Sequence, residues 1–255
     1  MPSLPLSVSA ALWATALLHG SATRAECLRA THAGSTDVAG DLDWPTEWRD
    51  LGETLAVAVL PRPGRPGWIS AGGGAGLDAA AEATEAVLAA TTGHLAVPTI
   101  QEYGPAGDRG VLVTWTAYPG MPVPRHRLEA TDLREMTQRF ATAVREAAED
   151  LEVAGGTPWT ASDLLAAGRF GGLDRLPAGI PSRVVELLAR SALVSEAAHQ
   201  GLTVEAEGPA LDLQTSMRRE QVLRHLAATA DDTLEGAAAV AAMAIAGWIP
   251  SDRSR

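Results

Sequence analysis

A chain of 255 residues with 20 cations and 31 acids carries a formal net charge of −11, and its summed field repels phosphate backbones and anionic lipid surfaces, so neither nucleic acid nor membrane is an expected partner. Every cation is an arginine, because the sequence holds no lysine, and it holds no asparagine either. A planar guanidinium that stays charged cannot replace the amine of a Schiff base, a P-loop, a kinase β3 strand or an S-x-x-K acyl enzyme, so those chemistries are excluded.

At 26.5 kDa the chain is long enough to bury a core without a metal or a disulfide. Its single cysteine, Cys27, has no partner for an internal disulfide and reads as a small apolar residue, which agrees with a cytoplasmic location. The apolar stretch 4–18 has the length of a signal-peptide core, but no cation precedes it and Arg24 and Glu26 stand where a cleavage site needs small neutral residues. It reads instead as a helix ending at Gly20. The second apolar run, 237–248, is shorter than the roughly 20 residues of a membrane span and reads as a tightly packed core helix.

Up to about Gly120 helix and strand signals are mixed, and beyond it nearly every segment has helical periodicity. Three strands are predicted, at 54–60, 95–103 and 111–118, the last two forming a hairpin around the turn-rich loop 104–110. A helix over 77–91 would join the first strand to the hairpin as a right-handed crossover. Past the proline-rich break at 119–124, Leu133, Met136, Phe140, Val144, Ala147 and Leu151 mark a helix over 132–153, with Thr131 as its N-cap and Glu135–Arg139 as an i,i+4 pair. A second helix opens at Pro181, and a third begins near Asp212. The Ala-rich helix is expected to start afresh after the capping signal at 229–232. The predicted fold is α+β: a small mixed sheet of about three strands with one crossover helix, covered by a mostly helical C-terminal half. Residues 1–120 form the mixed part and 121–255 the helical part, within one compact unit.

The stretch Leu55-Ala56-Val57-Ala58-Val59-Leu60-Pro61-Arg62-Pro63-Gly64, followed by the acidic pair Glu82 and Glu85 in an alanine-rich segment, resembles a group of uncharacterised proteins of GC-rich Gram-positive (actinobacterial) bacteria. The stretches 175–181 and 217–224 look similar to it as well. The resemblance implies a shared fold and transfers no function.

Among the chemical motifs, Gly72-Gly73-Gly74-Ala75-Gly76 ahead of a helix suits a phosphate, but Leu77 stands where a dinucleotide fingerprint has its third glycine, and Pro61 to Ala71 separate the loop from the strand. The stiff loop Pro61-Arg62-Pro63-Gly64-Arg65-Pro66-Gly67 follows a buried strand, and its two arginines could clamp a carboxylate or phosphate bidentately. Arg125-His126-Arg127 is a second exposed cationic knot. Arg62, Arg65, Arg125 and His126 are therefore the candidate ligand-binding residues. The six histidines form no H-x-x-x-H or H-E-x-x-H pattern and no C-x-x-C is present, so neither a metal nor another cofactor is expected. His225 with Asp231, Asp232 and Glu235, and His126 with Glu129, are candidate carboxylate–histidine contacts. Asp37, Asp41 and Asp43 lack the calcium-loop spacing, and Trp44 and Trp48 beside them read as anchors onto the core.

These observations point to a non-catalytic binding or regulatory module with a protein partner. The alternative is a small-anion-binding enzyme or ligand sensor that uses the arginine loop. A second copy of the chain is a further candidate partner, through the small residues of 237–246.

Overall fold

The computed structural model describes residues 4–32, 35–70, 74–105, 108–154, 176–207 and 213–249. The chain divides into two compact units. One comprises Pro5–Thr131, Arg175–Val184 and Ala238–Arg255, and the other Met1–Leu4, Asp132–Asp174 and Val185–Ala237.

The first unit is built on a mixed five-stranded sheet in the order β1-β5-β4-β3-β2, with β1 Asp37–Gly40, β2 Ala56–Val59, β3 Ala86–Ala89, β4 Leu95–Tyr103 and β5 Gly110–Tyr118. The fold class is thus α+β as expected, with five strands where three were predicted. β4 and β5 make the expected antiparallel hairpin, nine residues in register from Leu95↔Tyr118 to Tyr103↔Gly110. β1 adds to it in parallel, from Asp37↔Leu112 to Gly40↔Trp115. Gly40 has φ +83° and an added Cβ would lie 2.1 Å from the Trp115 carbonyl oxygen, so this close approach admits no side chain.

The predicted helix over 77–91 is corrected by the structure. Helix α4, Gly74–Ala83, occupies only its first half, and the second half is β3, which pairs antiparallel with both β2 and β4. The connection is therefore an αβ step between neighbouring antiparallel strands and not a parallel crossover. Alanine-rich sequence favours helix, but Thr84 turns the chain at φ 60°, a left-handed conformation costly for a β-branched residue. Its carbonyl accepts a hydrogen bond from the Arg62 guanidinium at 2.6 Å, a tertiary contact that fixes the turn.

Helix α1, Leu6–Leu18, is apolar on nearly every side, buries Val8, Ala11, Leu12, Ala14 and Thr15, and packs against β2 and β3. This is the segment with signal-like length, and it is part of the core. β2 is an edge strand with every residue buried. At Ala56 the missing neighbour is replaced by Thr15, whose hydroxyl donates to the Ala56 carbonyl at 3.0 Å and accepts from its amide at 3.1 Å. The N-terminus of α1 has no side-chain cap of its own from Pro5. Instead, the Glu85 carboxylate accepts from the Ser7 amide at 2.8 Å.

Helices α2 (Arg24–Thr31) and α3 (Trp44–Asp50) pack on α1. The tryptophans anchor the second as read from sequence: Trp44 is fully buried, with ring centroids 4.4 Å from Trp48 and 5.6 Å from Trp115. A short helix α5, Arg125–Glu129, follows the hairpin.

The second unit is helical. α6, Leu133–Ala154, is amphipathic as predicted, but its cap is Asp132, not Thr131: the Asp132 carboxylate accepts from the amides of Arg134 at 2.8 Å and Glu135 at 3.1 Å. α7, Ser182–Glu207, and α8, Leu213–Ile245, supply the other helices, each running on through both units. Within this unit Ala147, Ala198, Leu226 and Ala227 meet in a cluster ringed by Val144, Val194, Leu202 and Val222, where alanine lets backbones approach closely. α8 is continuous through 229–232, where a new helix start was expected. Thr229 and Thr233 return their hydroxyls to carbonyls four residues back, at 3.0 and 2.7 Å, and Asp231 faces α7 instead of capping.

Candidate functional site

The arginine loop is a tight turn. Arg62 and Arg65 exchange reciprocal backbone hydrogen bonds of 2.8 Å around Pro63-Gly64, with Gly64 at φ 77°. Arg62 then reaches across to the Thr84 carbonyl and back to that of Pro61 at 3.0 Å. Burial raises the Glu85 carboxyl above its ordinary range, and the Ser7 amide and the Arg62 charge pull against that shift. Arg62 thus has a structural task, joining the turn to Thr84 and Glu85.

Arg125 and His126 lie on α5 and are exposed. The Arg125 guanidinium sits 4.4 Å from the Trp248 ring centroid and bonds Glu129 at 2.7 Å. Glu129 is therefore a partner of Arg125 and not, as the sequence suggested, of His126. Arg127, outside the candidate set, lies 5.7 Å from the ring centroid of Trp68, three residues after Arg65. Through that contact the two cationic segments meet, although nothing in their spacing announced it. The glycine-rich candidate divides differently. Gly72 and Gly73 lie outside the described residues, and Gly76 is buried in α4, where an added Cβ would meet Leu95 Cδ1 at 2.9 Å and Tyr118 Cβ at 3.0 Å. Its lack of a side chain serves helix-on-sheet packing.

A polar constellation that sequence reasoning missed lies in the helical unit. Asp231 is fully buried on α8. Its Oδ1 accepts from the Ser195 hydroxyl at 2.5 Å, and Nε2 of the partly exposed His199 donates to Oδ2 at 3.1 Å. The histidine contacting Asp231 is thus on α7 and is not His225. Ser195 and His199 stand at i,i+4, one helix face, and that spacing was the available signal. Serine, histidine and aspartate are the triad residue types, but here serine and histidine both point at the carboxylate. The relay from hydroxyl to imidazole that activates a nucleophile is not formed. The cluster acts as a clasp between α7 and α8. An open cleft of about 440 Å³ between α6 and α8 carries Arg139, Glu146, His225 and Asp232. Among the described residues no group of three His, Cys, Asp or Glu side chains is arranged to hold a metal ion.

Cys27 is buried and desolvation pushes its thiol up to about 12, so it is an apolar core residue and no thiolate nucleophile. The small residues Ala237, Ala238, Ala239, Ala241 and Ala242 are likewise buried within the single chain, which assigns that stripe to internal packing. No helix among the described residues is long and apolar enough to cross a membrane.

The sheet offers a surface of another kind. Thr99, Gln101 and Tyr103 of β4 share a face with Leu112, Thr114 and Thr116 of β5, by their register. α4 covers only the near end of that face, over Leu95 and Tyr118. Thr99 through Tyr103 are exposed at five successive positions, so both faces of this half-strand meet solvent. Ile100 is 53% exposed, and the Tyr103 hydroxyl is tied to Asp37. Where α4 ends, a cleft of about 380 Å³ runs along the sheet between Glu82 and Thr116.

Residues 7–130 match the family described as Rv1486c-like protein, N-terminal domain, and residues 134–235 match the Rv1486c-like protein, C-terminal domain. Both halves of the chain are thus Rv1486c-like, each in its own domain. The two domain descriptions name no activity. No curated protein and no solved structure matches the chain.

Proposed function

We propose that this Rv1486c-like chain is a non-catalytic, cytoplasmic binding module that engages a protein partner through the open face of its sheet. The observation that carries the reading is the outer half of β4, exposed on both sides at Thr99–Tyr103 beside an uncharged row of Thr99, Thr114 and Thr116. Strand residues of a two-layered sheet alternate between core and solvent. Here the alternation fails: Thr99, Gln101 and Tyr103 stand uncovered on the face shared with Thr114 and Thr116, an uncharged surface with an aromatic ring, and the half-exposed Ile100 stands on the opposite face. The rigid scaffold beneath it, with Trp44, Trp48 and Trp115 packed on the opposite face, keeps that surface shaped in the absence of a partner.

The test is site-specific photo-cross-linking in the native cell. A benzophenone side chain at Thr99 or Thr116 is expected to give one discrete adduct, and the same group at Glu152 on α6 to give none. Equal labelling at the two kinds of site, or none at either, would remove the reading. The alternative, an anion-binding enzyme or sensor built on the arginine loop, has less behind it, because the Arg62 guanidinium is engaged by the Thr84 and Pro61 carbonyls.

A further inference from the structure

We propose that the occupant of the open sheet face is a basic amphipathic helix of a partner protein, seated beside α4 with its cations toward Asp37 at one end and Asp78 and Glu82 at the other. The inference rests on the reading of that face as an interface and adds to it the chemistry of the partner.

The first observation is the distribution of charge. The register sets Asp37, Leu112 and Gln101 in one row across β1, β5 and β4, and Ala39, Thr114 and Thr99 in the next. The four elements that build and border this face, β1, β4, β5 and α4, contain no arginine, in a chain that holds 20 of them. They carry four acids: Asp37, Asp78, Glu82 and Glu102. Glu102 stands on the opposite face by its alternation with Tyr103, and Arg109 of the hairpin loop pairs with it at 3.1 Å. The other three have no cationic partner among the described residues, although Asp37 accepts from the Tyr103 hydroxyl. Asp78 and Glu82 are exposed at i,i+4 on α4, a like-charge spacing that costs a helix stability and gains from a cation nearby. Glu82 lines the cleft of about 380 Å³ together with Thr99 and Thr116. An uncharged threonine strip thus has carboxylates at both ends and no cation of its own, and opposite charge on a partner would steer its approach and fix its register.

The second observation is the layer that α4 begins. That helix lies on this face and ends at Ala83, with Thr99 and Thr116 left exposed beyond it. Along the cleft it presents Ala79 and Ala83, and side chains of that size let a second helix approach closely. From Thr116 to Gly110 is six residues of β5, about 20 Å at 3.3 Å each, which a helix of about 13 residues spans. An added strand fits less well, because the edge strand β1 is four residues long and ends in Gly40 at φ 83°, features that blunt an edge. A second copy of the chain fits less well again, since a twofold pairing of this face would set its carboxylates against their own kind.

Photo-cross-linking in the native cell from a benzophenone side chain in place of Thr116, with mass spectrometry of the joined peptides, tests the inference on the full chain. The expected adduct joins this position to a segment rich in arginine or lysine, with apolar residues at spacings of three and four. Its yield is expected to fall about tenfold or more in Asp37→Asn/Asp78→Asn/Glu82→Gln, where the asparagine at 37 keeps an acceptor for the Tyr103 hydroxyl. It is expected to stay within about twofold of wild type in Glu135→Gln/Glu149→Gln/Glu152→Gln, which makes the same change of net charge on α6. Thermal melts of both variants establish that they are folded. An adduct indifferent to the first variant, an equal loss in the second, or a joined segment that lacks cations or belongs to another copy of this chain would each overturn the basic-helix inference and leave the face as an interface. Absence of any adduct would remove both.

Discussion

Each unit of the molecule hides a carboxylate, and the two are held in opposite ways. Glu53 in the sheet unit is 2% exposed and receives five hydrogen bonds: Oε1 from the amides of Thr54 and Leu55 at 2.9 and 3.0 Å, and Oε2 from the amides of Thr91 and Thr92 at 2.9 and 2.8 Å and the Thr92 hydroxyl at 3.1 Å. It sews the entry of β2 to the turn between β3 and β4. Asp231 in the helical unit accepts from the side chains of Ser195 and His199, both on the neighbouring helix α7. Backbone amides only donate, whereas a hydroxyl can turn to accept and a neutral imidazole can change tautomer. Four of the five groups that hold the first carboxylate are amides that cannot adapt, whereas Ser195 and His199 at the second can.

That contrast sets the sizes of the expected effects. Glu53→Gln puts an NH2 group against two amide donors, and Glu53→Ala leaves four amides without an acceptor; at about 1–3 kcal/mol per unsatisfied buried group, either change is expected to remove about 4 kcal/mol. Urea denaturation decides it, and a loss under about 1 kcal/mol for the glutamine variant would dissolve the distinction. Asp231→Ala is expected to cost about 3 kcal/mol, because the buried Ser195 hydroxyl loses its acceptor. Asp231→Asn is expected to cost only about 1 kcal/mol, with the His199 tautomer, read from its ring nitrogen NMR shifts, as the sign that the partners have rearranged. An asparagine variant as unstable as the alanine one, with no tautomer change, would show that the clasp is as rigid as the Glu53 site.

Smaller again is Gly76→Ala, which pushes a methyl onto Leu95 and Tyr118 and is expected to cost about 1–2 kcal/mol in the same denaturation series. The smallest effect is a slope. Glu85 titrates above its ordinary 4.5 in the folded chain. From about pH 4.5 up to its raised value the native state holds more protons than the unfolded state, so its contribution to stability is complete below that window and is lost as pH rises through it. Glu85→Gln keeps an oxygen for the Ser7 amide and is expected to flatten stability against pH across the window; an unchanged slope would assign the titration to another group.

The sequence made plain those elements whose reasons are local. The hairpin strands and α6 were read within a residue or two, because alternation and a 3.6-residue period are written along the chain itself. β3 was hidden because Ala86–Ala89 follows helix-favouring sequence, and what stops the helix is Thr84 held by Arg62, a residue 22 positions away. α8 looked divided because Asp231 and Asp232 resemble a cap until the α7 side chains facing Asp231 are known. At the candidate site, charge alone selected Arg62, Arg65, Arg125 and His126. The contact of Arg127 with Trp68 was hidden for the same reason, since the sequence places that aromatic ring 59 residues earlier.

The Thr15 hydroxyl that completes the edge of β2 also bears on the order in which the chain is made. Leu55-Ala56-Val57-Ala58-Val59-Leu60 is six uncharged, largely β-branched or small apolar residues without proline, the kind of segment that pairs with its like between nascent copies. On the ribosome, the helix that guards it has already emerged when the strand appears. The chaperoning element precedes its client by some forty residues, so the sticky edge meets its own cover before it can meet a neighbouring polypeptide.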